Sequence, residues 1–350
     1  MNNKKRVSYI DIAKGLAILC VIIGHTTQLT DIRILSKIIY SFHMPLFFIL
    51  SGWCMKEERR PTGQLIKVKA KQLLVPYVVV SVVRFLYMLM SRDFSWTLLG
   101  KYMLLCLYGN PSNMRADACM LHVGKIGMQW FMLTMFSAQL MYHFLNDISK
   151  KYKVPMWMLT VLVSVMGIQF SDYVWLPFGI SQAMGVMVFM YIGQVIRKAE
   201  IFETKIGKGF ISIPMVCLVI WIIAINYGMV RSNANVYYGI FSMVGAVCGT
   251  YWIVKLAQGI EHVKIVNSFL KWCGNNSLYI LMFHSLDQKV MAHIKTFMLQ
   301  YFQFPSTKGG LLIVAARCAV VLAATFVFVM LKKFITGINK NDKKREISQS

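Results

Sequence analysis

The amino-acid sequence predicts an all-α integral membrane protein, a bundle of about ten transmembrane helices with both termini in the cytoplasm. Composition, the spacing of apolar runs and the distribution of basic residues support this fold class. Of the 350 residues, 57% are apolar and 15% are charged, whereas soluble domains contain about 45–50% apolar and about 25% charged residues. This composition excludes a water-soluble enzyme, a disordered chain and a disulfide-framework protein.

Ten apolar runs approach the roughly 20 residues that a helix needs to cross a bilayer. In chain order they are about Ile10–Leu29, Ile38–Met55, Leu73–Met90, Met128–Leu145, Pro155–Phe170, Gly179–Ile196, Gly209–Tyr227, Val236–Leu256, Ser277–Phe297 and Gly310–Phe334. The stretch Trp96–Tyr108 is short and contains Lys101, so we expect it to be interfacial or re-entrant. The first run contains Asp11, Lys14 and His25 and lacks a small-residue cleavage site, which indicates a span and not a removable signal peptide.

Basic residues determine the predicted orientation. The formal net charge is +24, from 38 Lys and Arg against 14 Asp and Glu. In a soluble protein this excess would indicate nucleic-acid binding. With the N-terminus inside, 25 of the 38 basic residues fall in cytoplasmic segments, as the positive-inside rule expects. We therefore predict membrane lipids as surroundings and no nucleic-acid partner.

The same patterns predict one membrane domain over residues 1–350, with cytoplasmic tails at about 1–9 and 336–350, in the plasma membrane. No internal repeat or Gly/Ser linker divides the chain. We expect no metal site, because the eight cysteines include no Cys-x-x-Cys pair. The sequence predicts no particular oligomeric state.

Ionisable residues inside the apolar runs are candidates for function, because inserting each one into the centre of a membrane span costs about 2.5–3.5 kcal/mol. Lys14 and His25 lie eleven residues apart in the first span. Eleven residues make almost three helical turns, so the two side chains point the same way, about 16 Å apart along the axis. In the second span, His43 lies at a depth similar to that of His25, and the two histidines could form a site.

Other candidates accompany the second, third, fourth and ninth spans. They are Ser51, Trp53, Lys67, Lys69, Lys71, Arg84, Trp130, His284 and Asp287. Structural interpretations stand beside the functional ones. Lys14 could reach the headgroups, the three lysines could simply mark the cytoplasmic flank, and Arg84 and the histidines could join helices through hydrogen bonds.

Five motifs carry a resemblance to a known family. YIDIAKGLAILCVIIGH (Tyr9–His25), followed by FHMPLFFILSGW (Phe42–Trp53), closely resembles the start of the membrane-bound acyltransferase-3 family, and within it the fucose 4-O-acetylase type. KVKAKQLLVPY (Lys67–Tyr77) is similar to the family's basic cluster before a Leu-Leu-x-Pro-Tyr motif. QWFML (Gln129–Leu133) and NNSLYILMFH (Asn275–His284) resemble two later elements. In this order, the motifs extend the resemblance over essentially the whole chain.

One position departs from the family pattern. Members usually carry two basic residues three positions apart before the Leu-Leu pair, whereas here Lys69 is followed by Gln72. Lys67 or Lys71, which share one face of an α-helix, could supply the missing charge.

The resemblance implies an O-acyltransferase that moves an acyl group, most often acetyl, from cytoplasmic acetyl-CoA to a hydroxyl of a cell-surface or lipid-linked glycan. Lys14 and His25 match the basic residue and the histidine of the family's first motif, and we assign the catalytic role to His25, with Lys14 and His43 as further catalytic candidates. His25 could act as a general base on the hydroxyl or carry the acetyl group itself. We prefer the general base, because one site that holds donor and acceptor together needs no second intermediate.

The remaining candidates have supporting roles. We assign acetyl-CoA binding to Lys14, Lys67, Lys69, Lys71, Ser51 and Trp53. Cationic side chains suit the phosphates of coenzyme A. The oxyanion could be stabilised by His43, Arg84 or Trp130, and Asp11 or Asp287 could orient a histidine, with His284 nearby.

A transporter or flippase, for example for amino-acid uptake, is the alternative prediction. Ten spans with charges near the midplane and Pro/Gly-broken helices also suit a carrier. However, the chain shows no division into repeats, and a carrier has no evident use for the basic cytoplasmic cluster. A structural partner of a glycan synthase is a third interpretation. The sequence therefore favours the acyltransferase.

Overall fold

The computed structural model describes residues 7–27, 33–55, 61–90, 94–111, 125–170, 176–204, 212–227, 239–287, 296–297 and 307–349. Helix is the only regular secondary structure in these ranges. The α-helices are α1 Ser8–Thr27, α2 Arg33–Tyr40, α3 His43–Cys54, α4 Thr62–Lys69, α5 Val75–Leu89, α6 Trp96–Tyr108, α7 Trp130–Tyr152, α8 Met156–Phe170, α9 Ile180–Gly185, α10 Met187–Lys198, α11 Ser212–Tyr227, α12 Gly239–Ile260, α13 Lys264–Asn275, α14 Ser277–Leu286 and α15 Thr307–Gln349. A π-helical turn covers Ala70–Leu74, and a 3₁₀ turn covers Pro177–Gly179.

Several helical segments have the length and composition of membrane spans. Within the described ranges five qualify: Ser8–Thr27, Ile34–Cys54, Thr62–Leu89, Gly239–Ile260 and Gly309–Thr336. The pair α9–α10, bent by 53°, is a sixth candidate. Three shorter apolar helices are Met156–Gln169, Pro214–Asn226 and Ser277–Leu286. The all-helical class is confirmed, and the count of ten spans with cytoplasmic termini stays a prediction.

Two of the predicted spans are not continuous, regular α-helices. The second is divided into α2 and α3 by a turn at Ser41 and Phe42, and α3 begins at His43 with Pro45 in its first turn, where a proline is tolerated. The third predicted span, Leu73–Met90, begins inside a π turn at Ala70–Leu74 that connects α4 to α5. Such a turn widens the helix locally and is frequent at functional sites. Lys67 precedes this turn and Lys71 lies in it, so the two lysines are not on one continuous α-helix as the sequence analysis assumed.

Glycines bring two pairs of helices into backbone contact. A Cβ atom on Gly15 or on Gly274 would lie 2.1 or 1.8 Å from a carbonyl oxygen of the opposite helix, so α1 and α13 cross without side chains between them. Gly52 and Gly193 do the same for α3 and α10, at 1.9 Å each. Small residues commonly allow close helix packing in membranes. These crossings fix α1 and α3, the helices that carry the first two family motifs.

Many large apolar side chains are exposed on the outside of the bundle. Large exposed side chains include Val82 on α5, Leu162 on α8, Val219 on α11 and Leu311 on α15. Lipid tails solvate such groups without cost, whereas backbone polar groups must be paired inside helices. The side chains buried in the core therefore come mainly from helices at the centre, such as α1, α3, α7 and α10.

Candidate active site

A cavity of about 650 Å³ lies between α1, α3, α7, α14 and the π turn before α5, a volume within the range of about 300–1,000 Å³ for ligand sites. Along α1 its wall consists of Lys14, Ile18, Val21 and His25. This is the helix face that the spacing of Lys14 and His25 predicts. The cavity therefore joins a cation near the N-terminal end of α1 to an imidazole in its last turn.

Four lysines of the described ranges line this cavity: Lys14, Lys69, Lys71 and Lys332. Gln72, which departs from the family pattern, is in the same wall. Lys332 comes from α15 and was missed by the sequence analysis, because nothing in its spacing separates it from the other basic residues of the C-terminal tail. Its ammonium contacts the Tyr279 hydroxyl and lies 4.9 Å from the centre of the Tyr279 ring.

Lys67 and Trp53 lie outside the cavity wall formed by the described residues. Lys67 is exposed on α4. The Trp53 ring packs against Tyr9 at a centroid distance of 6.4 Å, and the Arg197 guanidinium lies 5.2 Å from the ring. Trp53 thus packs at the end of α3, and the structure does not bring it to the other acetyl-CoA candidates.

Ser51 and Cys54 face the cavity from α3. The Ser51 hydroxyl accepts a hydrogen bond of 3.0 Å from the Gln139 amide. The Cys54 thiol lies 3.7 Å from the Lys14 ammonium. Cys54 is the exposed free cysteine of the described ranges, and no sequence pattern distinguishes it from the other cysteines.

His25 contacts two other aromatic side chains near the end of α1. Its Nδ1 lies 3.1 Å from the Tyr40 hydroxyl of α2. Its ring centre lies 5.7 Å from that of His284 on α14. His25 therefore has one face on the cavity and its other neighbours in the protein interior. Tyr40 was missed by the sequence analysis, since an aromatic residue in an apolar run carries no distinguishing signal.

His43 is buried behind Tyr40, outside the described cavity wall. Its Nδ1 donates to the Ile39 carbonyl at 2.8 Å, because a carbonyl oxygen only accepts. The Tyr40 ring meets the His43 ring edge to face at 4.9 Å. The two histidines predicted to share a depth therefore both contact Tyr40, and only His25 reaches the cavity.

Arg84 joins α5 to the start of α7. It donates to the Ile126 carbonyl and, at 3.3 Å, to the Gln129 side-chain oxygen. The Gln129 amide in turn donates to the Ser81 hydroxyl at 2.8 Å. These bonds hold the residue that follows, Trp130, which lines the cavity. Of the three oxyanion candidates, Trp130 is the one in the described wall.

The acidic candidates differ in their surroundings. Asp11 is buried in α1, and its backbone carbonyl oxygen packs against Gly274 of α13. Asp287, just after α14, accepts hydrogen bonds from His284 and from Arg317 of α15. The structure therefore brings an acidic group to His284, and through His284 to His25.

Comparison with known families identifies the type of protein that carries this cavity. A family model described as an acyltransferase domain matches residues 7–332, which include the complete cavity wall. The chain belongs to the acyltransferase-3 family. A comparison with curated proteins finds no match. This acyltransferase, with several apolar helices able to span a bilayer, is a multi-pass membrane protein, and the transporter alternative is not favoured.

Proposed function

We propose that this acyltransferase-3 protein, of the fucose 4-O-acetylase type, moves an acetyl group from cytoplasmic acetyl-CoA to a hydroxyl of a cell-surface or lipid-linked glycan. The proposal includes ten spans, cytoplasmic termini and the plasma membrane. The observation that carries it is one cavity with four lysines and His25 in its wall.

The lysines support a phosphate-bearing donor. Ammonium groups bind phosphates as point charges, and Lys14, Lys69, Lys71 and Lys332 all line the cavity. Lys14 and His25 are about 16 Å apart along α1. A long, thin pantetheine arm fits such a path, with its nucleotide phosphates at the lysines and its thioester near His25.

His25 supports a general-base mechanism. Its neutral imidazole removes the proton of the acceptor hydroxyl while that oxygen attacks the thioester carbon. The new C–O bond forms, the C–S bond breaks, and the imidazolium returns the proton to the coenzyme A sulfur. In this mechanism Nε2 of His25 is the base, so the hydrogen of the neutral ring is on Nδ1. This Nδ1–H donates to the Tyr40 hydroxyl, 3.1 Å away. Trp130 lines the same wall, and in this mechanism its indole N–H donates to the developing oxyanion.

Mass spectrometry of surface glycans from cells with and without the protein tests this function. We expect acetyl mass increments that depend on the protein and that mild alkali removes, because the product is an ester. Identical glycans in both cell lines would contradict the proposal. Protein-dependent uptake of a substrate without acetyl-CoA would instead support the transporter.

Cys54 provides a separate test of the donor site. We expect a maleimide applied to the cytoplasmic face to alkylate Cys54, and saturating acetyl-CoA to slow this reaction about tenfold, because the thiol lines the cavity 3.7 Å from the Lys14 ammonium. Mass spectrometry of the labelled peptide measures the rate.

Two controls accompany this experiment. Cys54→Ser reports the labelling of other cysteines, and S-acetylpantetheine, which lacks the nucleotide phosphates, should protect less than acetyl-CoA. Equal labelling of Cys54 with and without acetyl-CoA would place the donor elsewhere.

A further inference from the structure

A buried polar network lies next to His25, and its three side chains are outside the cavity wall that the described residues form. Arg317 donates from Nε and Nη2 to the two carboxylate oxygens of Asp287 at 2.7 and 2.6 Å. His284 Nδ1 lies 3.1 Å from Asp287 Oδ2. The His284 ring is 5.7 Å from that of His25, centre to centre. Arg317, Asp287 and His284 are at most 6% exposed.

These contacts define the tautomer of His284. A two-point bond to a guanidinium keeps the Asp287 carboxylate ionised, and an ionised carboxylate only accepts hydrogen bonds. His284 therefore carries a hydrogen on Nδ1, and in the neutral imidazole Nε2 holds the lone pair. A carboxylate fixes the base form of a catalytic histidine in the same way in Ser-His-Asp triads.

The second nitrogen of His284 is the unusual feature. Nε2 is buried and has no hydrogen-bond partner among the described residues. Leaving a buried acceptor without a hydrogen-bond partner destabilises a folded protein. Arg317 and Asp287 would join α15 to α14 without any histidine, so helix packing alone does not explain this open base beside His25.

We propose that His284 is a proton relay beside His25, a positioning residue for the transfer reaction. His25 Nε2 takes the proton of the acceptor hydroxyl while Nδ1–H stays bonded to the Tyr40 hydroxyl, and Nε2 then passes this same proton, directly or through one water, to His284 Nε2. The positive charge then rests on the imidazole that has a carboxylate partner. When the C–S bond has broken, the proton returns through His25 to the coenzyme A sulfur, so no other reactant is needed.

The inference rests on the proposed function and is tested in membrane vesicles that contain the endogenous acceptor, with radiolabelled acetyl-CoA as the varied substrate. We expect His284→Gln to lower the maximal rate of alkali-labile incorporation about 10- to 30-fold. The apparent KM for acetyl-CoA should stay within about threefold, because the lysines that bind the donor are unchanged. A purely structural role would not produce this split between rate and KM in a folded protein.

A second variant tests whether the Asp287–Arg317 ion pair is needed to hold the tautomer of His284. Asp287→Asn/Arg317→Gln removes both buried charges together, which avoids the penalty of leaving one charge unpaired. We expect it to insert normally and to lose rate as His284→Gln does, since the His284 tautomer is no longer fixed. Thr325→Val, which alters another buried polar group of α15, is the matched control and should keep the wild-type rate.

The outcomes are distinguishable. If either His284→Gln or the neutral double variant is folded and retains a rate within threefold of wild type, the relay is excluded. If both fail to insert while Thr325→Val does not, the network is structural and the relay is also rejected. If wild-type vesicles incorporate no alkali-labile acetyl group, the proposed function itself fails.

Discussion

His25→Ala is expected to lower the rate of acetyl transfer by about 10²–10⁴-fold, the usual contribution of a positioned general base. The variant should still insert and fold, because His25 lies at the end of α1 with one face on the cavity. Removing its ring leaves the acceptor hydroxyl without a base. Alkali-labile incorporation from radiolabelled acetyl-CoA, normalised to the amount of inserted protein, measures the effect.

A second histidine provides the control for this experiment. His262 is exposed and lies outside the cavity wall formed by the described residues, so His262→Ala should transfer acetyl at the wild-type rate. Normal transfer by His25→Ala would refute the catalytic assignment. Wild-type protein in which acetyl is trapped on the His25 ring would instead favour His25 as the acyl carrier.

Lys69→Ala/Lys71→Ala is expected to raise the apparent KM for acetyl-CoA about 5- to 30-fold. Both lysines line the cavity, and each solvent-screened ion pair with a phosphate contributes about 0.5–1 kcal/mol. Every 1.4 kcal/mol changes affinity about tenfold, so two such pairs give this range. The maximal rate should change little, because the groups at the reacting carbon remain. Initial rates at varied acetyl-CoA concentrations measure both parameters.

Lys67 is the matched control, because it lies two residues before Lys69 but outside the described cavity wall. Lys67→Ala should leave the KM for acetyl-CoA within about twofold of wild type. A large effect of Lys67→Ala together with none for the double variant would move the donor phosphates to the outer face of α4.

The sequence determined much of this protein. Apolar runs predicted most of the helices, because a bilayer requires long apolar segments with internally paired backbones, whereas α4 and α13 lie outside all ten runs. The five motifs indicated the acyltransferase-3 family, which the family match confirms. Helical periodicity placed Lys14 and His25 on one face, and both line the cavity. Such predictions succeed because they concern residues of one helix or of one contiguous motif.

Only the tertiary structure decided which helices supply the neighbours of these residues. The sequence predicted that Lys67 and Lys71 share one face of an α-helix, but a π turn at Ala70–Leu74 interrupts that helix. Lys332 joins the cavity from the far end of the chain. Arg317 bonds Thr26 across 291 residues. No periodicity relates residues on different helices, because their contacts depend on how glycine crossings and side-chain volumes pack the bundle.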